Sequence, residues 1–200
     1  MYVPDHFRED DRESLMRFIG EFPLATFVAE IEGRPVANHF PMLVTDRSLT
    51  AHIHRSNSLW REIEGAEVLC IFTGPDAYIS PSWYPSKERH GKVVPTWNYS
   101  AVHVYGTVKI QHDSDWKMSH LESLTDFFEK NQREPWRVSD APSAFTEKMI
   151  AAIVGLEVSI DRIEGKFKLG QNRSAEDRAG AISGLRAVGA GSLAEMMERE

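Results

Sequence analysis

Residues 78–106 read YISPSWYPSKERHGKVVPTWNYSAVHVYG, and they carry two of the five tryptophans, four of the five tyrosines and three of the ten prolines of the chain. The two ends alternate as strands, residues 78–80 before and 99–105 after. Between them, residues 86–92 form a polar loop with Lys87, Arg89 and Lys92. Rings in so polar and proline-rich a segment suit a wall against a planar polar ligand or a second subunit. Proline fixes the approach of the chain, while rings, asparagine and histidine supply flat faces and hydrogen bonds. The competing reading makes the tryptophans plain core plugs, and composition alone does not choose between the two.

Upstream, residues 24–31 and 36–44 read as a hairpin about a turn at Glu32-Gly33-Arg34-Pro35, with Pro41 marking an edge or a bulge. Residues 49–54 form a third strand, and residues 67–73 a fourth that is apolar enough to be central. Helical spacing covers 10–19, ended by Gly20, then 59–64, 113–130 and 143–152. Downstream, 156–163 alternates like a half-buried strand, with 165–169 behind it. Ser174 and Asp177 resemble a capping box opening a helix to about Val188, and Ser192 starts a last short one. A meander of strands interrupted by helices predicts a mainly β or α+β fold, an antiparallel barrel with helices packed outside. The expected organisation is one domain over 1–200, with a C-terminal helical extension over about 174–200.

Composition narrows the function. The 200 residues are 42% apolar and 26% charged, ordinary for a soluble globular protein, and carry a net charge of −7. Nonspecific grip on DNA needs several phosphates neutralised by Lys or Arg, so the acidic balance works against direct operator binding. The single cysteine, Cys70, excludes a disulfide framework and reads as a small buried hydrophobe within Val68-Leu-Cys-Ile-Phe72. No apolar run approaches the ~18 residues of a membrane span. The first residues, MYVPDHFREDDRE, are acidic and polar rather than signal-like, so the expected place is the cytoplasm. No G-x-S-x-G, G-x-G-x-x-G or Walker pattern occurs.

Two polar groups stand out. In AHIHRSNSLW, residues 51–60, a strand delivers His54 and Arg55 to a helix start that also holds Ser56, Asn57 and Ser58. Unpaired N–H groups and a positive dipole end suit a phosphate there, and Arg61 can lean back to it; the plain alternative is an ordinary capped helix. His52 and His54 share a strand face, but no third ligand lies at a supporting local spacing, so no metal is assigned. The second group, Lys166, Lys168, Gln171, Asn172 and Arg173, is either a solvated strand end or a set of donors at a ligand's edge or a subunit interface.

A wider pattern joins these pieces. Met1-Tyr-Val-Pro4 with Phe7, Pro23-Leu-Ala-Thr26, His52-Ile-His-Arg-Ser-Asn57, Tyr78-Ile-Ser-Pro-Ser-Trp-Tyr84, Val94-Pro-Thr-Trp-Asn-Tyr99, Val102-His103 with Gly106, and Lys168-Leu169 with Gln171-Asn-Arg173 follow in order over residues 1–173. Together they resemble the PaiB-type FMN-binding negative transcriptional regulators. The resemblance implies an antiparallel split β-barrel of the pyridoxamine-phosphate-oxidase-like kind, and a homodimer with two FMN sites at the subunit interface. It places His54, Arg55, Ser56, Asn57 and Ser58 at the FMN phosphate, and Trp97, Asn98 and Tyr99 near the isoalloxazine. Lys168, Gln171 and Asn172 fall at the pocket rim. Where the family shows His-x-Ala-Arg followed by Asn-Pro, this chain has His54 in place of the small residue and Ser58 in place of the proline. Serine serves as well at a helix start, so His54 is the larger departure. The family's role is negative control of protease production and sporulation genes; acidic charge and the lack of a helix-turn-helix signature imply an indirect route. The alternative is an FMN-dependent oxidoreductase acting on a small molecule. A third reading is haem handling with His52, His54 or His103 as axial ligand.

Overall fold

The computed structural model describes residues 1–199. In chain order the elements are β1 (Arg8–Glu9), α1 (Arg12–Glu21), β2 (Leu24–Ile31), β3 (Arg34–Pro41), β4 (Leu43–Val44), β5 (Ser48–His54), β6 (Glu67–Ile79), α2 (Ser86–His90) and β7 (Thr96–Gln111). Then come α3 (Ser114–Glu129), α4 (Ser143–Ala151), β8 (Ile153–Ser159), β9 (Arg162–Lys168), α5 (Ala175–Ala187) and α6 (Gly191–Arg199). The antiparallel sheet runs β3-β2-β6-β7-β8-β5-β4, with β9 pairing both β1 and β7. Two compact units share the long strands β6 and β7. One comprises Met1–Phe18, Phe72–His103 and the chain from Glu164; the other comprises Ile19–Ile71 and Val104–Ile163.

In the second of these units, Glu32 and Gly33 take the left-handed conformation, which gives the two-residue turn that a tight hairpin requires. The β2–β3 hairpin follows, in register from Leu24↔Pro41 to Ile31↔Arg34. Strand β5 pairs with β8 along its whole length, Ser48↔Ser159 to His54↔Ile153. Their inward residues Leu49, Ala51, Val154, Leu156 and Val158 are fully buried, each large one stabilising by about 1.5–3 kcal/mol. Gly106 lies where β7 meets the end of β8, and a Cβ there would sit 1.7 Å from the Ser159 carbonyl oxygen, so only glycine fits. Cys70 is wholly buried and its thiol is pushed up to about 12, in keeping with a small hydrophobe.

In the other unit, α5 and α6 are packed through Ala181, Leu185, Leu193, Ala194, Met196 and Met197. Trp83 rests on α5, where Gly180 and Gly184 leave room: a Cβ at Gly184 would reach 2.2 Å from its indole, and one at Gly180 2.1 Å from its carbonyl. Trp83 therefore packs against α5 while staying only half-buried.

Five expectations change. Helix α1 runs through Gly20 to Glu21. The helix expected over 59–64 is a single 3-10 turn, Ser58–Arg61. Residues 86–92 are not simply a loop: Ser86–His90 forms α2, with Gly91 left-handed at its end. The strand read over 156–163 starts earlier and breaks after Ser159, because the chain turns at Ile160 and Asp161. Ser174 does cap α5 by accepting from the Asp177 N–H, but Asp177 does not complete a box. Its carboxylate accepts instead from the Ser86 N–H at 3.0 Å and hydroxyl at 2.7 Å, and Arg89 binds Glu176 at 2.5 Å. These bonds pin α2 to the start of α5.

Candidate functional site

At the end of β5 the polar side chains turn onto their own backbone. Asn57 caps the 3-10 turn by accepting from Leu59 N–H, and its amide donates to the side-chain oxygen of Asn38. His54 Nδ1 lies 2.6 Å from the Ser56 hydroxyl and 3.2 Å from its N–H, so this exposed histidine closes a local turn. Trp60 donates to the Arg55 carbonyl, and Arg61 stacks on the Trp60 ring rather than leaning back.

Arg55 has a second task. Its backbone N–H reaches Ala152 O, its Nε reaches Ala151 O at 2.9 Å and its Nη2 reaches Ile153 O at 3.1 Å. Lys117 of α3, almost wholly buried, donates to Ile150 O. Four successive carbonyls at the end of α4 are thus each taken by one of two cations, which also answer the negative pole of that helix. Burial and the nearby Arg55 charge hold the Lys117 ammonium below the usual lysine range. What remains for a ligand at the junction is Arg55 Nη1, the Arg61 guanidinium and the Ser58 hydroxyl.

Behind β5 lies a chain of neutral imidazoles that sequence reading missed. His52 Nδ1 is 3.2 Å from His120 Nε2, and His120 Nδ1 is 3.2 Å from the Thr50 hydroxyl. The His120 ring stacks on Trp116. Burial, and then the facing His52, push His120 down to about 4; burial also lowers His52. His120 was invisible because its partners lie some seventy residues away in sequence. Among the described residues no cluster of three metal-ligating side chains forms.

In the other unit, β7 sorts its motif onto two faces. Asn98 and Ser100 are buried and donate to the sulfurs of Met197 and Met196 on α6, at 3.6 and 3.0 Å. Trp97 and Tyr99 alternate with them and point the other way. Trp97 is 50% exposed, donates its indole N–H to Asp76 at 2.7 Å, and meets Tyr78 edge-on. Thus Asn98 does not share a wall with Trp97 and Tyr99.

Beside those rings, β9 places Lys166 and Lys168 on one face. Lys168 Nζ donates to Thr96 Oγ1 at 2.5 Å and to Trp97 O at 2.7 Å, and Lys166 Nζ lies 5.3 Å over Tyr99. Burial, then the charges of Lys166 and Arg173, hold the Lys168 ammonium below its ordinary value. Gln171 closes the turn after β9 through Leu169 N–H and Phe167 O, while Asn172 is exposed. Arg173 stacks on Tyr84.

A family model described as "Putative FMN-binding domain" matches residues 1–162. The chain belongs to this FMN-binding family. Its cofactor is FMN or a closely related flavin. The "Protease synthase and sporulation protein PAI 2" of Bacillus subtilis is 34% identical, over 99% of this chain and 97% of that protein. The FAD and heme binding protein of Mycobacterium smegmatis superposes with a TM-score of 0.66 at 24% identity, over 87% of this chain and 79% of that one. The flavocytochrome Anf3 of Azotobacter vinelandii also reaches 0.66, at 18% identity, over 89% and 78%. The fold of this family member is the antiparallel split β-barrel with peripheral helices. No helix among the described residues is long and apolar enough to cross a membrane.

Proposed function

We propose that the protein is a cytoplasmic flavin-binding homodimer of the PaiB type, whose influence on genes is indirect. The observation that carries this reading is the face formed by Trp97 and Tyr99 beside Lys168. Two aromatic rings lie at a solvent-facing surface, one fixed by Asp76, with the Lys168 ammonium alongside. A flat heterocycle is the ligand such a face suits.

The residues present fit FMN in part. For the phosphate, the remaining donors of the 54–58 junction are the ones to hold it: Arg55 Nη1, the Ser58 hydroxyl and Arg61. His54, Ser56 and Asn57 act in support, since they shape the turn that presents those donors. Trp97 and Tyr99 would flank the ring, with Lys168 and Asn172 at the rim. Asn98 and Gln171 would hold the strand and turn in place. When bound, the flavin supplies the redox chemistry and the chain supplies orientation and charge. With a net charge of −7, the protein is poorly suited to neutralise DNA phosphates.

The openness of the Trp97 face favours a second reading, an FMN-dependent oxidoreductase acting on a small molecule. The first test is the visible spectrum of the purified protein and mass analysis of its extracted cofactor. A colourless protein that takes up no added FMN would sink both readings. Sedimentation equilibrium tests the dimer, with a monomer at all concentrations counting against it. A gel shift at physiological salt tests the indirect route, which tight sequence-selective binding would overturn. Bleaching of the bound flavin by NADH or NADPH, restored by an acceptor, selects the oxidoreductase.

A further inference from the structure

On the β7–β9 face, cations and rings are interleaved. Trp97 and Tyr99 are two apart on β7, and Lys168 and Lys166 are two apart on β9; the Lys166 ammonium lies over the Tyr99 ring, and the Lys168 ammonium bonds to the Trp97 carbonyl. Neither ammonium forms an ion pair among the described residues; their partners are the Tyr2 and Trp97 carbonyls and the Thr96 hydroxyl. The carboxylates nearest in the pattern are already engaged. Asp76 accepts from the Trp97 indole, and Glu164, next on the same face of β9, binds the Met1 ammonium at 2.7 Å. Arg173 adds a third positive charge within electrostatic reach of Lys168. In a chain carrying seven more acids than bases, Lys166, Lys168 and Arg173 gather here against the single charge of Asp76, whose hydrogen-bond partner is a neutral indole. Like charges so placed repel one another until an anion arrives.

We propose that this face recognises a planar aromatic acid, an arene bearing a carboxylate or phosphate, as the small molecule that meets the flavin. Its ring lies against Trp97 and Tyr78, and its anionic group lies between Lys166 and Lys168. The inference rests on the flavin reading above for the chemistry that follows binding, but not for the binding itself.

The test is calorimetric titration of flavin-loaded protein with 2-naphthoate and with its neutral counterpart 2-naphthamide, flavin absorbance being recorded in each preparation. The naphthoate binds about tenfold tighter than the amide, and the preference shrinks as salt is added. Lys166→Glu removes the preference and retains flavin, while Lys130→Gln on α3 leaves both unchanged. Equal affinity for the two probes overturns the proposal, as does a preference that survives Lys166→Glu. Loss of flavin in Lys166→Glu also overturns it, by making Lys166 part of the cofactor cradle. If the protein takes up no flavin at all, the cofactor reading fails separately. The naphthoate preference is then read from tryptophan emission of the same preparation, and decides the acid site by itself.

Discussion

Arg55 and Lys168 are both half-buried cations beside a strand end, and both bond to protein oxygens, yet the side chains around them behave differently. Arg55, at the end of β5, spends its N–H, Nε and Nη2 on three carbonyls in and after the last turn of α4. Around it, His54, Ser56 and Asn57 likewise bond to their own turn or to Asn38. Lys168, at the end of β9, bonds to the carbonyl of a tryptophan whose indole is half exposed, with a second lysine on its strand face, and neither lysine forms an ion pair among the described residues. A run of histidine, arginine, serine and asparagine thus marks a stretch that holds itself together. A run of tryptophan, tyrosine and lysine marks one with something left to bind. Polar residue type does not tell these apart; how far the neighbouring side chains bond to their own turn does.

Substitutions sharpen that contrast. Arg55→Ala strands the carbonyls of Ala151 and Ile153, and should lower the unfolding free energy of the flavin-free protein by roughly 3 kcal/mol, read from urea denaturation. A loss near zero would break the clamp and return Arg55 to the role of a plain phosphate ligand.

The imidazole chain behind β5 gives the next effect. Above pH 6.5 the folded and unfolded chains both hold His120 neutral. Below it, the unfolded chain takes up a proton that the folded one refuses until about pH 4, so stability falls across that window. The contribution is roughly 2–3 kcal/mol, and His120→Gln should flatten the pH dependence of urea stability between those limits. An unchanged slope in the variant would place the acid sensitivity elsewhere.

On the β7–β9 face the order of effects reverses. Trp97→Ala should cost under about 1 kcal/mol of stability, because half the side chain is already in water, while flavin affinity drops about tenfold. Normal flavin retention in that variant would remove Trp97 from the ring wall. Lys166→Gln should change stability least, within about 0.5 kcal/mol, as expected of a cation without an ion pair. A larger loss would mean that its bond to the Tyr2 carbonyl ties down the first residues of the chain.

Much of the architecture was legible in the residues because local chemistry sets it. Alternation over Leu24–Ile31 and the Glu32-Gly33 turn fix a hairpin, and Asp113 caps α3 at the start of the helix that spacing predicts over 113–130. What stayed hidden depends on distant partners. The helix over 59–64 shrank to a 3-10 turn because Asn57 and Trp60 bond to the turn itself. Asp177 looked like half of a capping box, but its carboxylate is claimed by Ser86, ninety-one residues before it. The aromatic stretch held both competing readings at once. Trp83 is half-buried on a seat, Gly180 and Gly184, far downstream in the chain, whereas Trp97 is open. The Trp97-Asn98-Tyr99 triplet looks like a single recognition element until the pleat of β7 sends its middle residue to the other side.

That pleat has a consequence for how the protein can change. Asn98 and Ser100 are anchored under α6, and Trp97 and Tyr99 are not. On the flavin reading proposed above, one strand therefore carries two independently heritable instructions, one for folding and one for ligand choice, written in alternate letters. Substitutions at the outward positions can retune what is bound while the inward positions keep the C-terminal helix seated. Descendants of one ancestral chain can in this way part company in chemistry long before they part company in shape.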